Sequence, residues 1–472
     1  MKKYDRKLQI MLTIILMLLL STAPVLAAFT FFDPMNPASV PQTLSQSGIY
    51  TGTTITAEAI PYDVNTPLWK DGAIIKRYLL KGPGAQITFN DTSDYYGYSG
   101  DFVFVKSMIL EVVNGEAASQ RYLETSLLVY KPDTGKWFVF NYHWNKEQTD
   151  ATLMSDWDII DSVYTVWPQG AGGPASIQKW EPEMPAVCAS ACHRQDGRQV
   201  MGFFTAQLNR PSLQNSTINQ IQHFFNIGLF AGTAPADLTA LPKWEPVSNT
   251  AASLEVRARS YIAANCSMCH GASYMEASVE FQLDYHAMKA PEHDFIGFTT
   301  AFVIPDCDGR KVVAPGHAAA STLYYRQTKR EYAADNFLPH VDQMPPSNTF
   351  KVDSAGLDLL EEWICSLDPA KCAVPAGQIA AGDSLPKCAD VVDIAEPVSQ
   401  KTVVSPELRG RLLILPEVFI TAAEPAVSLY NIRGQQFYPK KLGTAMYKVD
   451  AVLPQGIYIL KINDEKFVRY IR

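Results

Sequence analysis

From Phe29 to about Val166, apolar residues alternate with polar ones or gather in short blocks between turn residues, which is the pattern of β-strands. The stretches from Gln120 to Tyr130 and from Trp137 to Trp144 are rich in Tyr, Leu, Val, Phe and Trp. Between them Lys131-Pro132-Asp133-Thr134-Gly135-Lys136 carries Pro and Gly where a hairpin loop needs them. Phe102 to Val113 and the shorter Gln86 to Asn90 read as further strands. Gly170, Gly172-Gly173-Pro174, Pro182 and Pro185 mark a linker. Beyond Pro185 the period becomes helical. Ser253 is placed to cap a helix whose one face holds Leu254, Ala258, Tyr261 and Ile262. Asp353-Ser354 opens another with Leu357, Leu360, Ile364 and Leu367 on a stripe, stopped by Asp368-Pro369. Residues 374–402 are loop-like, and a strand-rich module follows from about Val403, clearest at Val427 to Tyr430 and Gly456 to Ile462.

Composition narrows the class. A chain of 472 residues is too long for one core, and 47% hydrophobic with 19% charged residues fits folded globular protein. A net charge of −8 lacks the basic field that nucleic acid requires. Lys2, Lys3, Arg6 and Lys7 precede an uncharged run from Ile10 to Leu20, and Val25-Leu26-Ala27 offers a small-residue cleavage site. That is the layout of a secretory signal peptide over residues 1–27, and its apolar run is shorter than the ~20 residues of a membrane span. Its removal takes away four basic groups and Asp5 and moves −8 to −11. No later segment is apolar enough for a transmembrane span, so the expected place is the periplasm, or the cell surface or extracellular space.

Eight cysteines in an exported chain would ordinarily mean disulfides, but two clusters point elsewhere. Cys266-Ser267-Met268-Cys269-His270 is C-x-x-C-H, the attachment signature of c-type haem: two thiols reach the two vinyl groups and the histidine supplies an axial nitrogen to iron. A thioredoxin-like redox pair would sit near a βαβ pattern, and a zinc site would need a second C-x-x-C; neither is present. For the second iron ligand, Met344 in His340-Val341-Asp342-Gln343-Met344-Pro345-Pro346 is the first candidate, on a stiff loop before the closing helix, with His340 as fallback.

The other cluster, Cys188-Ala189-Ser190-Ala191-Cys192-His193, has one more residue between its thiols. Two-point haem attachment through Cys188 and Cys192 with His193 on iron is the reading adopted. Attachment through Cys192 alone and a plain Cys188–Cys192 disulfide are the alternatives. Met201 and His223 are candidates for the distal ligand; without one the haem would be five-coordinate. Lys179-Trp180-Glu181-Pro182 recurs as Lys243-Trp244-Glu245-Pro246, once before each cluster, with no physical account in the sequence.

Residues 251–368 resemble a small monohaem cytochrome c domain: a helix into CSMCH, Ala314-Pro315-Gly316 and Ser321 to Arg326 in the middle, Met344-Pro345-Pro346, and a closing helix with Trp363. The resemblance implies that the first and last helices cross and that His270 and Met344 face opposite sides of the ring. More widely, Leu44 to Tyr50, Pro67-Leu68-Trp69-Lys70-Asp71-Gly72-Ala73 with Arg77, Glu124 to Leu128, Tyr142 to Ala151, Gln207 to Arg210 and Asn219 to Ile221 resemble a poorly characterised family of exported dihaem c-type cytochromes. That family joins a β domain, a C-x-x-C-H segment and a cytochrome c domain. Some members are fused to quinoprotein sugar dehydrogenases, which implies a redox protein partner of that kind; no such domain is in this chain. The extra residue of the first motif departs from the family pattern. Residues Val427 to Gln435, Leu453 to Lys461 and Lys466 to Arg472 resemble a type IX secretion C-terminal sorting domain, which implies cell-surface attachment.

The expected fold class is therefore multidomain: an N-terminal mainly antiparallel β domain (28–180), a first haem-binding segment (181–250), an α-helical cytochrome c region (251–372), a linker (373–402) and a small C-terminal β-sandwich (403–472). Cys307, Cys365, Cys372 and Cys388 remain for two disulfides, with Cys307–Cys365 and Cys372–Cys388 as the expected pairs. His143, His286, His293 and His317 read as surface or packed residues, and no glycosidase pair, G-x-S-x-G or P-loop is present. The expected function is one-electron transfer between extracytoplasmic partners through two covalent haems c. The alternatives are a peroxidase-like dihaem enzyme with a five-coordinate first haem, and a glycan-binding module.

Overall fold

The computed structural model describes residues 29–91, 96–155, 160, 162–185, 188, 193, 200–271, 281–285, 288, 295–300, 304, 311–330, 343–345, 349–369, 371–372 and the strands between 407 and 471. The expected signal peptide (residues 1–27), Cys192, Cys307, Cys388, His286, His293 and His340 lie outside the described residues.

The N-terminal part is β-rich, as its residue pattern requires. In chain order its strands are β1 (Tyr50–Thr51), β2 (Thr54–Ile55), β3 (Ile60–Tyr62), β4 (Ile74–Lys81), β5 (Gln86–Thr88), β6 (Gly97–Ser99), β7 (Phe102–Glu111), β8 (Gln120–Lys131), β9 (Lys136–Trp144), β10 (Ala151–Leu153), β11 (Ser162–Val166) and β12 (Ser176–Trp180). Six form one antiparallel sheet in the order β10-β9-β8-β7-β4-β3. The hairpin between β8 and β9 turns at Gly135, whose φ of 65° is left-handed, a conformation open to glycine at little cost. Strand β7 lacks a clean alternation because both faces of the sheet are covered. Val103, Val105 and Ile109 pack with Leu44, Ile49, Leu127, Tyr142 and Trp144 on one side. Phe104 packs with Leu79, Leu128 and Trp137 on the other.

That second face is closed by residues from beyond the linker. Helices α1 (Thr205–Leu208) and α2 (Gln220–Asn226) and strand β13 (Phe230–Ala231) follow, and β13 pairs in parallel with β5. Phe203, Leu208, Ile221, Phe224 and Phe230 enter the same core as Tyr62, Leu79 and Phe104. Gln207 exchanges two hydrogen bonds with the backbone of Thr66, and Gln220 does the same with Asp63. Residues 200–241, expected in a segment of their own, thus share a core with the β domain.

The helical part holds α3 (Leu254–Cys266), α4 (Thr322–Thr328) and α5 (Ser354–Leu367). The Ser253 hydroxyl accepts from the Val256 N–H and the Asp353 carboxylate from the Gly356 N–H, satisfying otherwise orphan donors of the first turns. Ala258, Tyr261 and Ile262 of α3 pack with Leu360, Trp363 and Ile364 of α5, together with Phe295, Val313 and Tyr324. The helices touch at Gly356, where a Cβ would lie 2.3 Å from the Tyr261 ring.

The structure overturns both expected disulfide pairs. Cys365 is bonded to Cys372, seven residues on, rather than to Cys307, so Cys372 is not available to Cys388. The chain turns back immediately after α5, with the Lys371 N–H donating to the Asp368 carbonyl, and brings the two Cα atoms within 5.1 Å, inside disulfide reach.

Towards the C-terminus, strands β14 (Glu407–Arg409), β15 (Leu412–Ile414), β16 (Val427–Asn431), β17 (Gln436–Phe437), β18 (Lys440–Lys441), β19 (Met446–Lys448), β20 (Gly456–Ile462) and β21 (Glu465–Ile471) form two four-stranded sheets, β14-β15-β19-β18 and β17-β16-β20-β21. Among the described residues no helix is long and apolar enough to cross a membrane.

Candidate functional site

Both cysteine–histidine motifs close by the same backbone bond. In the second, Cys266 ends α3 and the His270 N–H donates to the Cys266 carbonyl at 2.8 Å, an i→i+4 bond. In the first, the His193 N–H donates to the Cys188 carbonyl, also at 2.8 Å, but from five residues on. An i→i+5 bond has the span of a π turn, and in both motifs the histidine N–H meets the first cysteine's carbonyl. Cys188 is reached by a helical bond of its own, from its N–H to the Met184 carbonyl.

The His270 ring stacks on Phe281, with centroids 5.2 Å apart and planes 11° from parallel, and its carbonyl accepts from the Leu283 N–H. Burial, with the Arg326 guanidinium adding to it, pulls its imidazole down to about 4. It is therefore neutral at physiological pH, the form in which imidazole ligates a metal. Its Nδ1 is buried with no hydrogen-bond partner. The Met344 N–H donates to the Arg326 carbonyl at 2.8 Å, and Arg330 donates to the Met344 carbonyl at 3.3 Å. Helix α4 thereby ties the methionine loop to the histidine's surroundings through one residue, Arg326. Burial also pushes the Cys266 thiol up to about 12, so the sulfur is uncharged. A neutral thioether suits such a place, whereas a thiolate would not. A neutral imidazole, an uncharged half-buried sulfur and a methionine tied through Arg326 are a donor set that fits a haem.

The first motif opens on a cavity between the sheet and α3. His193 and Met201 both line it; His223, in the last turn of α2, does not. Tyr62, Arg77, Lys106 and Ser126 line it from the sheet, and Ser267 and Met268 of the second motif, with Gly271 just after it, line it as well. Cys188 is held at the sheet by Asn141, whose Nδ2 donates to the Cys188 sulfur at 3.4 Å and to the Glu183 carbonyl at 2.8 Å. Of the two repeated Lys-Trp-Glu-Pro tetrapeptides, Trp244 is buried and lines the cavity, whereas Trp180 is buried with Met108, Leu110 and Leu123 elsewhere.

Sequence reasoning missed the loop from residue 67 to residue 72. The Trp69 N–H donates to Asn265, the residue before Cys266, at 2.7 Å, and the Trp69 indole donates to the Lys351 carbonyl at 2.9 Å. The Asp71 carboxylate accepts from the N–H groups of Phe350 and Lys351 at 2.9–3.0 Å. In the sequence the loop stands out only as part of the family resemblance, because its partners lie nearly two hundred or more positions away. His143 is packed rather than ligating, within 3.3 Å of the Ser162 hydroxyl. Among the described residues no group of three or more His, Cys, Asp and Glu side chains is placed to hold a metal ion. A haem iron, which takes two axial ligands from protein, requires no such group. Compared with protein families, with curated proteins and with solved structures, the chain matches none of them.

Proposed function

We propose that this chain is an exported c-type cytochrome with two covalently attached haems that passes electrons, one at a time, between redox proteins outside the cytoplasm. The observation that carries the reading is the shared closure of the two motifs, His N–H to first-cysteine carbonyl at 2.8 Å in both, despite their unequal length. On this reading Cys266 and Cys269 hold the second haem with His270 and Met344 as axial ligands, and Cys188 and Cys192 hold the first with His193 and Met201. A bound haem supplies a one-electron iron couple; the protein sets its potential through axial ligand, burial and nearby charge. The residues here bind and orient: burial keeps His270 neutral, and Arg326 and Arg330 hold the Met344 backbone.

Met201, which lines the same cavity as His193, favours a ligated carrier over the peroxidase-like alternative, in which an open iron position would be needed. Maturation of the full chain in a cytochrome c assembly strain, followed by pyridine haemochrome absorbance and intact mass, tests the reading. Two covalent haems are expected, with a weak far-red methionine–iron band that disappears in Met344→Ala. One haem, with Cys188 and Cys192 recovered as a disulfide, would reduce the protein to a monohaem cytochrome. Peroxide turnover by the wild type would favour the enzyme. The signal peptide and the sorting-type C-terminus belong to the same proposal: deleting residues 403–472 should release to the medium or retain in the periplasm what the full chain displays at the surface.

A further inference from the structure

The inner face of the large sheet carries one polar row between two less polar ones. Tyr62 stands opposite Arg77, Arg77 opposite Lys106, Lys106 opposite Ser126, and Ser126 opposite Asn141, from β3 across β4, β7 and β8 to β9. Directly opposed residues share a face of the sheet. On one side the row is flanked by Leu79, Phe104, Leu128 and Val139. At its β9 end Asn141 holds the Cys188 sulfur, and Arg77, Lys106 and Ser126 line the cavity that His193 and Met201 also line. With strands about 4.8 Å apart, Lys106 stands ~10 Å from the cysteine's anchor along the row.

The cations of this row are not equally committed. Arg77 is paired to Asp63 at 3.2 Å, and Asp63 takes Arg210 as well at 2.8 Å. Lys106 is half-buried and makes no hydrogen bond and no ion pair with any described residue. Glu124, on the adjacent row, lies close enough to feel its charge but does not pair with it. The Ser126 hydroxyl is likewise without a described partner. A half-buried ammonium beside an unused hydroxyl, facing a cavity, is a seat for an anion.

We propose that Lys106, with Ser126 beside it, receives a propionate carboxylate of the first haem, so that the polar row spans that haem from its cysteine anchor to its acidic edge. The proposal rests on the two-haem reading. It also fixes which face of the sheet the first haem lies against. Ser267 and Met268 of the second motif line the same cavity, so the two motifs meet there.

The experiment uses the full chain, matured with haem, in Lys106→Gln, Lys106→Glu and Lys106→Arg forms. Removing a cation beside a haem favours its ferric state. Spectroelectrochemical titration should therefore show a lowered potential for the first haem in Lys106→Gln, lower still in Lys106→Glu. Lys106→Arg should hold the wild-type value, and the second haem should not move in any of them. The propionate bending mode in resonance Raman should shift in Lys106→Gln and remain in Lys106→Arg. Two haems with unchanged potentials and an unchanged propionate mode in Lys106→Gln would overturn the assignment while leaving the two-haem reading intact. A wild-type protein with a single haem would remove that reading, and this assignment with it. Lys106→Arg, which keeps the charge, guards against misfolding as the cause of any shift.

Discussion

Glu124 is the most exposed conflict between charge and burial at the level of a single residue. It sits in the middle of β8, 2% accessible, with its Oε2 buried and unpartnered. Burial raises its carboxyl above the ordinary value of 4.5, against the lowering pull of Lys70 and Lys106. An acid whose folded value is raised binds its proton more tightly in the folded state. Its contribution to stability is therefore complete below about 4.5 and is lost as pH rises through the raised folded value. Glu124→Gln removes that loss. The stability difference, variant minus wild type, should grow as pH increases across this window and then level off, measured by urea unfolding at a series of pH values. A difference that is flat with pH would mean Glu124 keeps its charge at no cost. Single residues of this kind were legible only in part. The C-x-x-C-H motif declares its chemistry by spacing, but the wider turn that accommodates the first motif depends on a backbone bond that residue types do not announce.

Among elements, the contact between α3 and α5 is the tightest. Gly356 is there because nothing larger fits: in Gly356→Ala the new methyl would meet the Tyr261 ring. Overpacking of this sort costs roughly 1–3 kcal/mol, more than the gain from alanine's better helix propensity. Thermal unfolding followed by circular dichroism should show a lowered midpoint, and Tyr261→Leu in the same chain should recover part of it by opening space. A wild-type midpoint in Gly356→Ala would mean the helices can slide apart without loss. Both helices were readable because caps and apolar stripes are local signals, as were the long strands β7, β8 and β9. The placement of α1, α2 and β13 was not. They are short, and their position is set by a parallel pairing with β5 and by aromatic packing against Tyr62 and Phe104, both remote in sequence. The Cys365–Cys372 bridge was missed for a related reason, since four cysteines allow three connectivities and only the turn after α5 selects one.

At the scale of the whole molecule, the β-rich part and the helical part are joined by the loop from residue 67 to residue 72, which grips both arms that carry the expected ligands of the second haem. Trp69 holds Asn265 on the cysteine side and Lys351 on the methionine side, and Asp71 takes two backbone N–H groups just after the methionine loop. Burial raises the Asp71 carboxyl, and the Phe350 and Lys351 N–H groups pull it back, so the carboxylate is kept in place by those bonds. Hydrogen bonds to a charged group contribute about 1.5–3 kcal/mol. Here they connect two cores rather than residues within one, so their loss should show as lost cooperativity more than as lost structure. Calorimetry of the wild type should give one transition for the two cores together, and Asp71→Ala should split it, with the helical part melting first. In the haem-loaded protein the same variant should weaken the far-red methionine band without changing the haem count, because the segment that follows Met344 then loses its bonds to Asp71. A single transition retained in Asp71→Ala, together with an undiminished band, would show that Asp71 neither couples the two cores nor positions the methionine loop.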